Sequence, residues 1–471
     1  MENKRRVISN LGFLLQITGL FLILPIAIGL QNDELQPVAS LVATCFFAFG
    51  IGFVLNSFCE RKELDEKTSL WLMLAAFTIL PLVLMVPYIW NNVFASANPF
   101  DLLTNAYFET VSAFTTTGFS FMANPDTLPL SLLFYRSLVE FIGGIGFIYI
   151  LVAFLYPNKG LNVFAQTFGF DKIGDNLKKT FLSVMLIYTF IVVIFTGVFY
   201  LVYSPNNLIL ASTAAMDILT GGYQPNITGG IGIFHISIIF LMLLGSLNFN
   251  FHYNLFRLKL RNLLTPEIKL YLGIIAVATI IISILAWANP FDSLFNVISM
   301  ASSTGLETFN VGSSPVAAKI VFILIGIAGG CAFSMAGGIR IQRIRTVIDA
   351  VRKKGDQPSR EELKAVLVSI ISFIAILIIL SLAFSTIGLS FLDSVFEVSS
   401  ALTTNGISMG ITTIATPISY KWLLILAMII GRIEIVTIFK AIRGVNIIDL
   451  MKSTVGGVSG AIRWLRRKLR R

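Results

Sequence analysis

Phe108–Ser120 reads FETVSAFTTTGFS. The stretch is too polar to cross a bilayer and too apolar for an ordinary loop. It recurs in register. Ten residues separate Phe108 from Gly118, Phe295 from Gly305 (FNVISMASSTG) and Phe396 from Gly406 (FEVSSALTTNG). A fourth copy, STAAMDILTGG from Ser212 to Gly222, lacks the phenylalanine. When the copies are aligned on Gly118, Gly222, Gly305 and Gly406, the position two earlier is always a hydroxyl: Thr116, Thr220, Ser303 and Thr404. Six earlier stand Ser112, Met216, Ser299 and Ser400, and one later Phe119, Tyr223, Leu306 and Ile407. The glycine spacing makes an internal repeat of about 100 residues.

The surrounding chain places these copies. Its 471 residues are 56% hydrophobic and 13% charged, with mean hydropathy +0.83. A soluble domain cannot cover that much apolar surface, so the class is an all-α polytopic membrane protein. Apolar segments of spanning length fall at 11–30, 38–58, 69–90, 131–156, 180–203, 230–249, 268–288, 316–340, 363–387 and 418–440. The first two form a hairpin. The other eight pair off, and each pair encloses one polar copy. The divisions are 1–60 for the hairpin, 61–160, 161–262, 263–352 and 353–443 for four span–re-entrant loop–span units, and 444–471 for a basic tail. MENKRR followed by the first apolar run resembles a signal peptide, but the run is too long and has no small-residue cleavage site, so it reads as a retained span.

Charge gives an independent check. Segments 91–130, 204–229, 289–318 and 388–417 contain no Lys or Arg, yet carry Asp101, Glu109, Asp126, Asp217, Asp292, Glu307, Asp393 and Glu397. The basic residues concentrate in the alternate segments and at both termini. The positive-inside rule therefore puts both termini in the cytoplasm of a cell (inner) membrane, with all four copies entering from outside. The net charge of +10 follows this topology rather than nucleic-acid binding. The tail GAIRWLRRKLRR has two readings, a helix on the anionic inner leaflet or a docking segment for a cytoplasmic partner. Cys45, Cys59 and Cys331 are read as free thiols, and two histidines are too few for a histidine metal site.

The copies point to ion permeation. Asn105, Asp292 and Asp393, thirteen residues before their glycines, are candidate N-caps for short helices of about two turns; Asn206 or Asn207 would cap the second copy. After each helix the chain turns back through the glycine. Non-helical backbone at membrane depth is tolerated only inside protein or along a water-filled path. A ring of four such turns offers carbonyl oxygens to a dehydrated cation. The filter residues are Thr116, Thr117, Gly118, Thr220, Gly221, Gly222, Ser303, Thr304, Gly305, Thr404, Asn405 and Gly406. Inward-pointing helix C-termini favour cations, and the external acids concentrate them.

Two unrepeated features stand apart. GGCAFSMAGGIR, 329–340, holds Gly329, Gly330, Ser334, Gly337 and Gly338 inside an apolar run; it reads as close helix packing or as a break beneath the filter. Arg432 and Glu434 sit in another apolar run, where each costs about 2.5–3.5 kcal/mol on insertion scales. They are two apart and do not neutralise each other; Arg432 is a structural ion-pair partner or a pore charge. Arg136 and Glu140 share a helix face at i,i+4 and read as a structural pair.

The four copies, with YRSLVEFIGGIGFIYI (135–150), GSLNFNFHYNLF (245–256), GGCAFSMAGGIR and GRIEIVTIF (431–439), resemble the Trk/Ktr/HKT superfamily of potassium transporters along the whole chain, specifically the Trk-type membrane subunit. The two-span hairpin favours the Trk type. The resemblance implies potassium as the transported ion, a pore in each protomer of a homodimer, a cytoplasmic ring of nucleotide-binding regulatory subunits, and no organic cofactor. It implies that the 329–340 loop obstructs the pore and moves on gating, with Arg432 below the filter. In plant members a serine at the first filter glycine goes with sodium transport; Gly118 is intact here, which favours potassium over sodium or mixed transport. The copies do not decide between a channel and ion-coupled symport. An enzyme would need clustered catalytic side chains, and a nucleotide hydrolase a P-loop; neither pattern is present.

Overall fold

The computed structural model describes residues 2–57, 66–95, 98–122, 125–155, 177–205, 207–223, 232–352, 357–386 and 388–433. Glu434, Cys59 and the basic tail lie outside them. The described residues are helical, with no strand among them. Six of these helices are long and apolar enough to cross a membrane: Arg5–Gln31, Leu35–Ser57, Trp71–Trp90, Ser183–Val202, Pro266–Leu285 and Arg360–Ser385. A further helix covers Leu130–Leu155. These segments expose large side chains such as Phe46, Leu201 and Ile284. Such faces suit hydrocarbon, where apolar exposure carries no penalty and every backbone group must bond within its own helix.

Between the spans lie four shorter helices, Pro99–Phe114, Leu208–Thr220, Pro290–Ser302 and Phe391–Leu402. Their side chains are almost wholly buried in their C-terminal halves. They run 16, 13, 13 and 12 residues, over three turns each rather than the expected two. The caps expected at Asn105, Asp292 and Asp393 lie elsewhere. Asn98, Asn289 and Ser390 accept the first free amides, from Phe100, Phe291 and Asp393; Asn207 caps the second helix as expected. The two asparagine caps precede Pro99 and Pro290, at the position where a missing N–H costs nothing. Asp292 and Asp393 stand in the first turn instead, where a negative charge meets the positive end of the helix.

Two expected spans are interrupted. The 316–340 run is helical only over Val316–Ala328, and stops at Gly329 with φ +68°. A second helix starts at Ile341. Of the two readings of GGCAFSMAGGIR, the structure therefore has the break and not a continuous packed helix. The 230–249 run ends at Ser246 and continues as Phe249–Phe256 after a bend of 108°. Asn248 makes the corner by capping the second piece through Phe251 N. Glycines pull three of the spans onto the short helices: a methyl group on Gly143, Gly245 or Gly431 would lie 2.0, 2.3 or 2.1 Å from the carbonyl oxygen of Phe114, Leu219 or Leu402.

Candidate functional site

The four glycine turns meet. A methyl group built on Gly118 would lie 2.6 Å from the Gly222 backbone. On Gly221 it would lie 2.2 Å from Ser303 O, on Gly305 2.0 Å from Asn405 O, and on Gly406 2.0 Å from Thr117 O. Each turn thus abuts the next copy in chain order, and the fourth returns to the first. All twelve candidate filter residues belong to this closed ring. Gly118, Gly305 and Gly406 have φ of +81°, +77° and +79°, in the region that favours glycine.

The second copy departs in register. Its helix runs on through Thr220, and Gly221 rather than Gly222 takes the positive φ, +92°. In the other three copies the hydroxyl residue two before the glycine is itself left-handed: Thr116 at +55°, Ser303 at +58° and Thr404 at +51°. A double glycine lets the second chain turn within fewer residues. The Gly222 amide then donates to Thr304 O at 3.1 Å, a direct bond between neighbouring turns.

Nine residues before the glycine stand Glu109, Asn296 and Glu397 in the first, third and fourth copies. Each fastens the chain leaving the ring back onto its own short helix. Glu109 accepts the Ser120 hydroxyl at 3.0 Å and the Phe121 amide at 3.3 Å. Asn296 donates to the Thr308 hydroxyl at 2.8 Å. Glu397 accepts from the Ser408 hydroxyl at 2.7 Å, the Met409 amide at 2.9 Å and the Thr412 hydroxyl. Glu109 and Glu397 are fully buried and Asp217 nearly so, so these three acids do not concentrate ions at the surface as their position on a lysine-free segment suggested. Glu397→Ala would leave the buried Thr412 hydroxyl without its acceptor, at about 1–3 kcal/mol, and would also free the half-buried Ser408 and Met409 donors. We expect it to lower the thermal unfolding midpoint of the detergent-solubilised protein by several degrees, while Asp292→Ala, at a half-exposed first-turn position, changes it little.

Arg136 does not pair with Glu140. It donates to Glu109 through Nε at 3.0 Å and Nη2 at 2.9 Å, and its guanidinium lies 3.0 Å from the centroid of the Tyr223 ring. Glu140 instead accepts the Thr220 hydroxyl at 2.8 Å. Two further cations fasten neighbouring copies and had no weight in the sequence reading. Lys319 meets Asp393 at 3.2 Å, and Lys421 donates to Asn105 Oδ1 at 2.7 Å and to Ile414 O at 2.8 Å. Their sequence signal is a shared Pro-x-x-x-Lys, Pro315–Lys319 and Pro417–Lys421.

The 329–340 loop lies against the ring. The Gly337 amide donates to Ser303 Oγ at 3.0 Å, and a methyl group on Gly337 would lie 2.1 Å from Thr403 O. The loop is pinned on its other side by Cys331 N to Ser246 O at 3.0 Å, Met335 N to Gly245 O at 3.1 Å, and Ala332 N to Glu267 Oε1 at 2.7 Å. Ser334 Oγ donates to Cys331 O at 2.7 Å. Gly330 sits against Ala336, and Gly338, at φ +83°, stacks on Gly329. Arg432, 2% exposed, donates to Met335 O at 2.9 Å and to Gly144 O at 3.3 Å. It links the last described helix, the loop and the 130–155 helix.

Known proteins match this arrangement. The TrkH family profile, described as a cation transport protein, matches residues 91–235 and 278–443, which include all four turns. The chain belongs to the TrkH family. A cation transporter of Methanocaldococcus jannaschii is 27% identical over 466 residues, covering 92% of this chain and 94% of its own length. The Trk system potassium uptake protein TrkH of Escherichia coli is 27% identical over 443 residues, covering 84% and 89%. The crystal structure of the potassium transporter TrkH from Vibrio parahaemolyticus shares the fold, with TM-score 0.78 at 20% identity, over 93% of this chain and 98% of that one. TrkH-family proteins are membrane transporters, not enzymes, and this chain is a multi-spanning helical membrane protein of that kind.

Proposed function

We propose that this chain is the pore-forming membrane subunit of a potassium uptake system. The observation that carries the reading is the closed ring of glycine turns at Gly118, Gly221, Gly305 and Gly406, each against its neighbour's backbone. Four buried helices end at that ring, so their partial negative ends face a common point and favour a cation. The Escherichia coli relative is named a potassium uptake protein, which supports potassium as the ion. Carbonyl oxygens of Thr116–Gly118, Thr220–Gly222, Ser303–Gly305 and Thr404–Gly406 replace its water. The four units 61–160, 161–262, 263–352 and 353–443 each contribute one turn, behind the 1–60 hairpin. The lysine-free segments face outward and both termini inward.

Gating belongs to Gly329, Gly330, Ser334, Gly337, Gly338 and Arg432. The loop blocks the path beneath the ring, and a cytoplasmic nucleotide-binding partner acting on a homodimer moves it. Flux of potassium and sodium into proteoliposomes tests the reading. Wild type should prefer potassium, and Gly118→Ser should erode that preference. A serine there also crowds its neighbour, with its Cβ 2.6 Å from the Gly222 backbone, though less deeply than the 2.0–2.2 Å at the other three positive-φ glycines, so the ratio is read from the flux that remains. Equal permeability to both ions in both proteins would sink the filter assignment.

A further inference from the structure

The hydroxyls two residues before the ring glycines are not held alike. Ser303 is fixed by the Gly337 amide, while Thr116 and Thr404 have no hydrogen-bond partner for Oγ1 among the described residues. Thr220 donates to Glu140, on the 130–155 helix that leads out of the preceding copy. One turn back on the two helices stand Ser137 and Asp217, both buried; Ser137 Oγ donates within its own helix to Leu133 O at 3.3 Å. The Glu140 contact reaches the ring: a methyl group on Gly222 would lie 2.1 Å from each Glu140 carboxylate oxygen.

The other copies show what is unusual here. The position of Asp217, five before the aligned glycine, holds Ala113, Met300 and Ala401 elsewhere. The position of Glu140, three before the packing glycine Gly143, holds Met242 before Gly245 and Met428 before Gly431. The Glu140–Thr220 bond therefore has no counterpart at those positions of the other copies. That copy also lost the phenylalanine, carries Met216 for serine and has no left-handed residue before Gly221.

We infer that Glu140 is the positioning residue of the second turn, fixing Thr220 and Gly222 in the ring by a hydrogen bond and direct contact in place of features its own segment lacks. This rests on the reading of the ring as a potassium filter. Glu140 and Met216 O, each 2.8 Å from the Thr220 hydroxyl, together set the rotation of the last helical residue, and the carboxylate beside Gly222 stops the turn from relaxing away from the neighbouring turns. Loss of that support loosens one quarter of the ring, and discrimination between ions of different size falls before transport does.

The potassium-to-sodium flux ratio in proteoliposomes tests this, using protein that elutes as a single species in detergent. Glu140→Gln keeps shape and an acceptor for Thr220, so its ratio should stay within about threefold of wild type. Glu140→Leu and Thr220→Val each remove the same bond, and each should lower the ratio by roughly tenfold. The double variant should fall no further than Thr220→Val alone, because that change already removes the Glu140 bond together with the Thr220 hydroxyl's contact with Met216 O at 2.8 Å. Thr220→Val is nearly isosteric and carries the test if Glu140→Leu does not fold. A wild-type ratio in Thr220→Val, or additive losses in the double variant, overturns the proposal. Gly118→Ser in the same assay separates the cases: if it erodes selectivity while the Glu140 and Thr220 variants do not, the filter stands and the positioning role falls.

Discussion

Gly406→Ala and Gly305→Ala are expected to lower potassium flux by roughly a hundredfold, more than Gly118→Ser. The difference lies in how deeply each new Cβ would overlap the neighbouring backbone, 2.6 Å away at Gly118 and 2.0 Å at the other two. At Gly406 the new methyl would fall 2.0 Å from Thr117 O, and at Gly305 2.0 Å from Asn405 O. No carbon approaches an oxygen that closely, so the neighbouring turn must move. Positive φ alone does not account for the effect. Thr116, Ser303 and Thr404 are held left-handed in the same ring despite a cost of roughly 1–2 kcal/mol per residue. What glycine supplies is an empty position facing the next carbonyl. The displaced carbonyls are those proposed to replace the ion's water, so relief of the clash removes ion ligands. A loss of about 3 kcal/mol of ion stabilisation corresponds to roughly a hundredfold in rate. Rubidium uptake into proteoliposomes measures it. Near-wild-type uptake by either variant would show that the ring is not the ion path.

Gly221→Ala asks the same of the degenerate copy, and its outcome depends on a feature the sequence hid. Alignment on Gly222 is natural from spacing, yet the turn that needs glycine is at Gly221. The helix there runs one or two residues longer than in the other copies, and periodicity does not fix helix ends that closely. The same weakness explains the caps. Asn105, Asp292 and Asp393 are plausible by residue type, but Asn-Pro-Phe at 98–100 and 289–291 marks the starts better, since proline suits the first helical position. The recurrence of glycine and hydroxyl was legible because both are required by one local geometry. Glu109 and Glu397 were misread because charge counting assigns a side of the membrane and says nothing of burial. Arg136 turned to Glu109 rather than to its i,i+4 neighbour because tertiary geometry offered Glu109 Oε1 to both Nε and Nη2, together with the Tyr223 face. The break at Gly329 was one of two readings that composition allowed, and the buried loop amides show how it is sustained. They find acceptors outside the loop: Gly245 and Ser246 on one helix, Glu267 on another, and Ser303 in the ring.

Arg432→Ala is expected to raise basal flux several-fold in the absence of any regulatory partner. The guanidinium ties the loop to the 418–433 helix, in addition to the loop's bonds to Ser246 and Glu267. Nη1 donates to Met335 O, two residues from the Gly337 amide that touches the ring, and Nη2 donates to Gly144 O. With alanine there, both carbonyls lose a buried charged donor, at about 1.5–3 kcal/mol each. The loop then keeps its bonds to the 233–246 helix and to Glu267 but loses its tie to the 418–433 helix, and open arrangements gain population. Removing a fixed positive charge beneath the proposed cation path would act in the same direction, since such a charge opposes ion entry. Arg432→Lys separates the two effects. It retains the charge, but a single ammonium cannot reproduce the planar fork that spans Met335 and Gly144. Flux in the lysine variant close to wild type assigns the effect to charge; flux close to the alanine variant assigns it to the tie. If neither variant changes flux per folded molecule, and both only lower thermal stability, Arg432 is a structural brace and the loop is held shut by its other contacts alone.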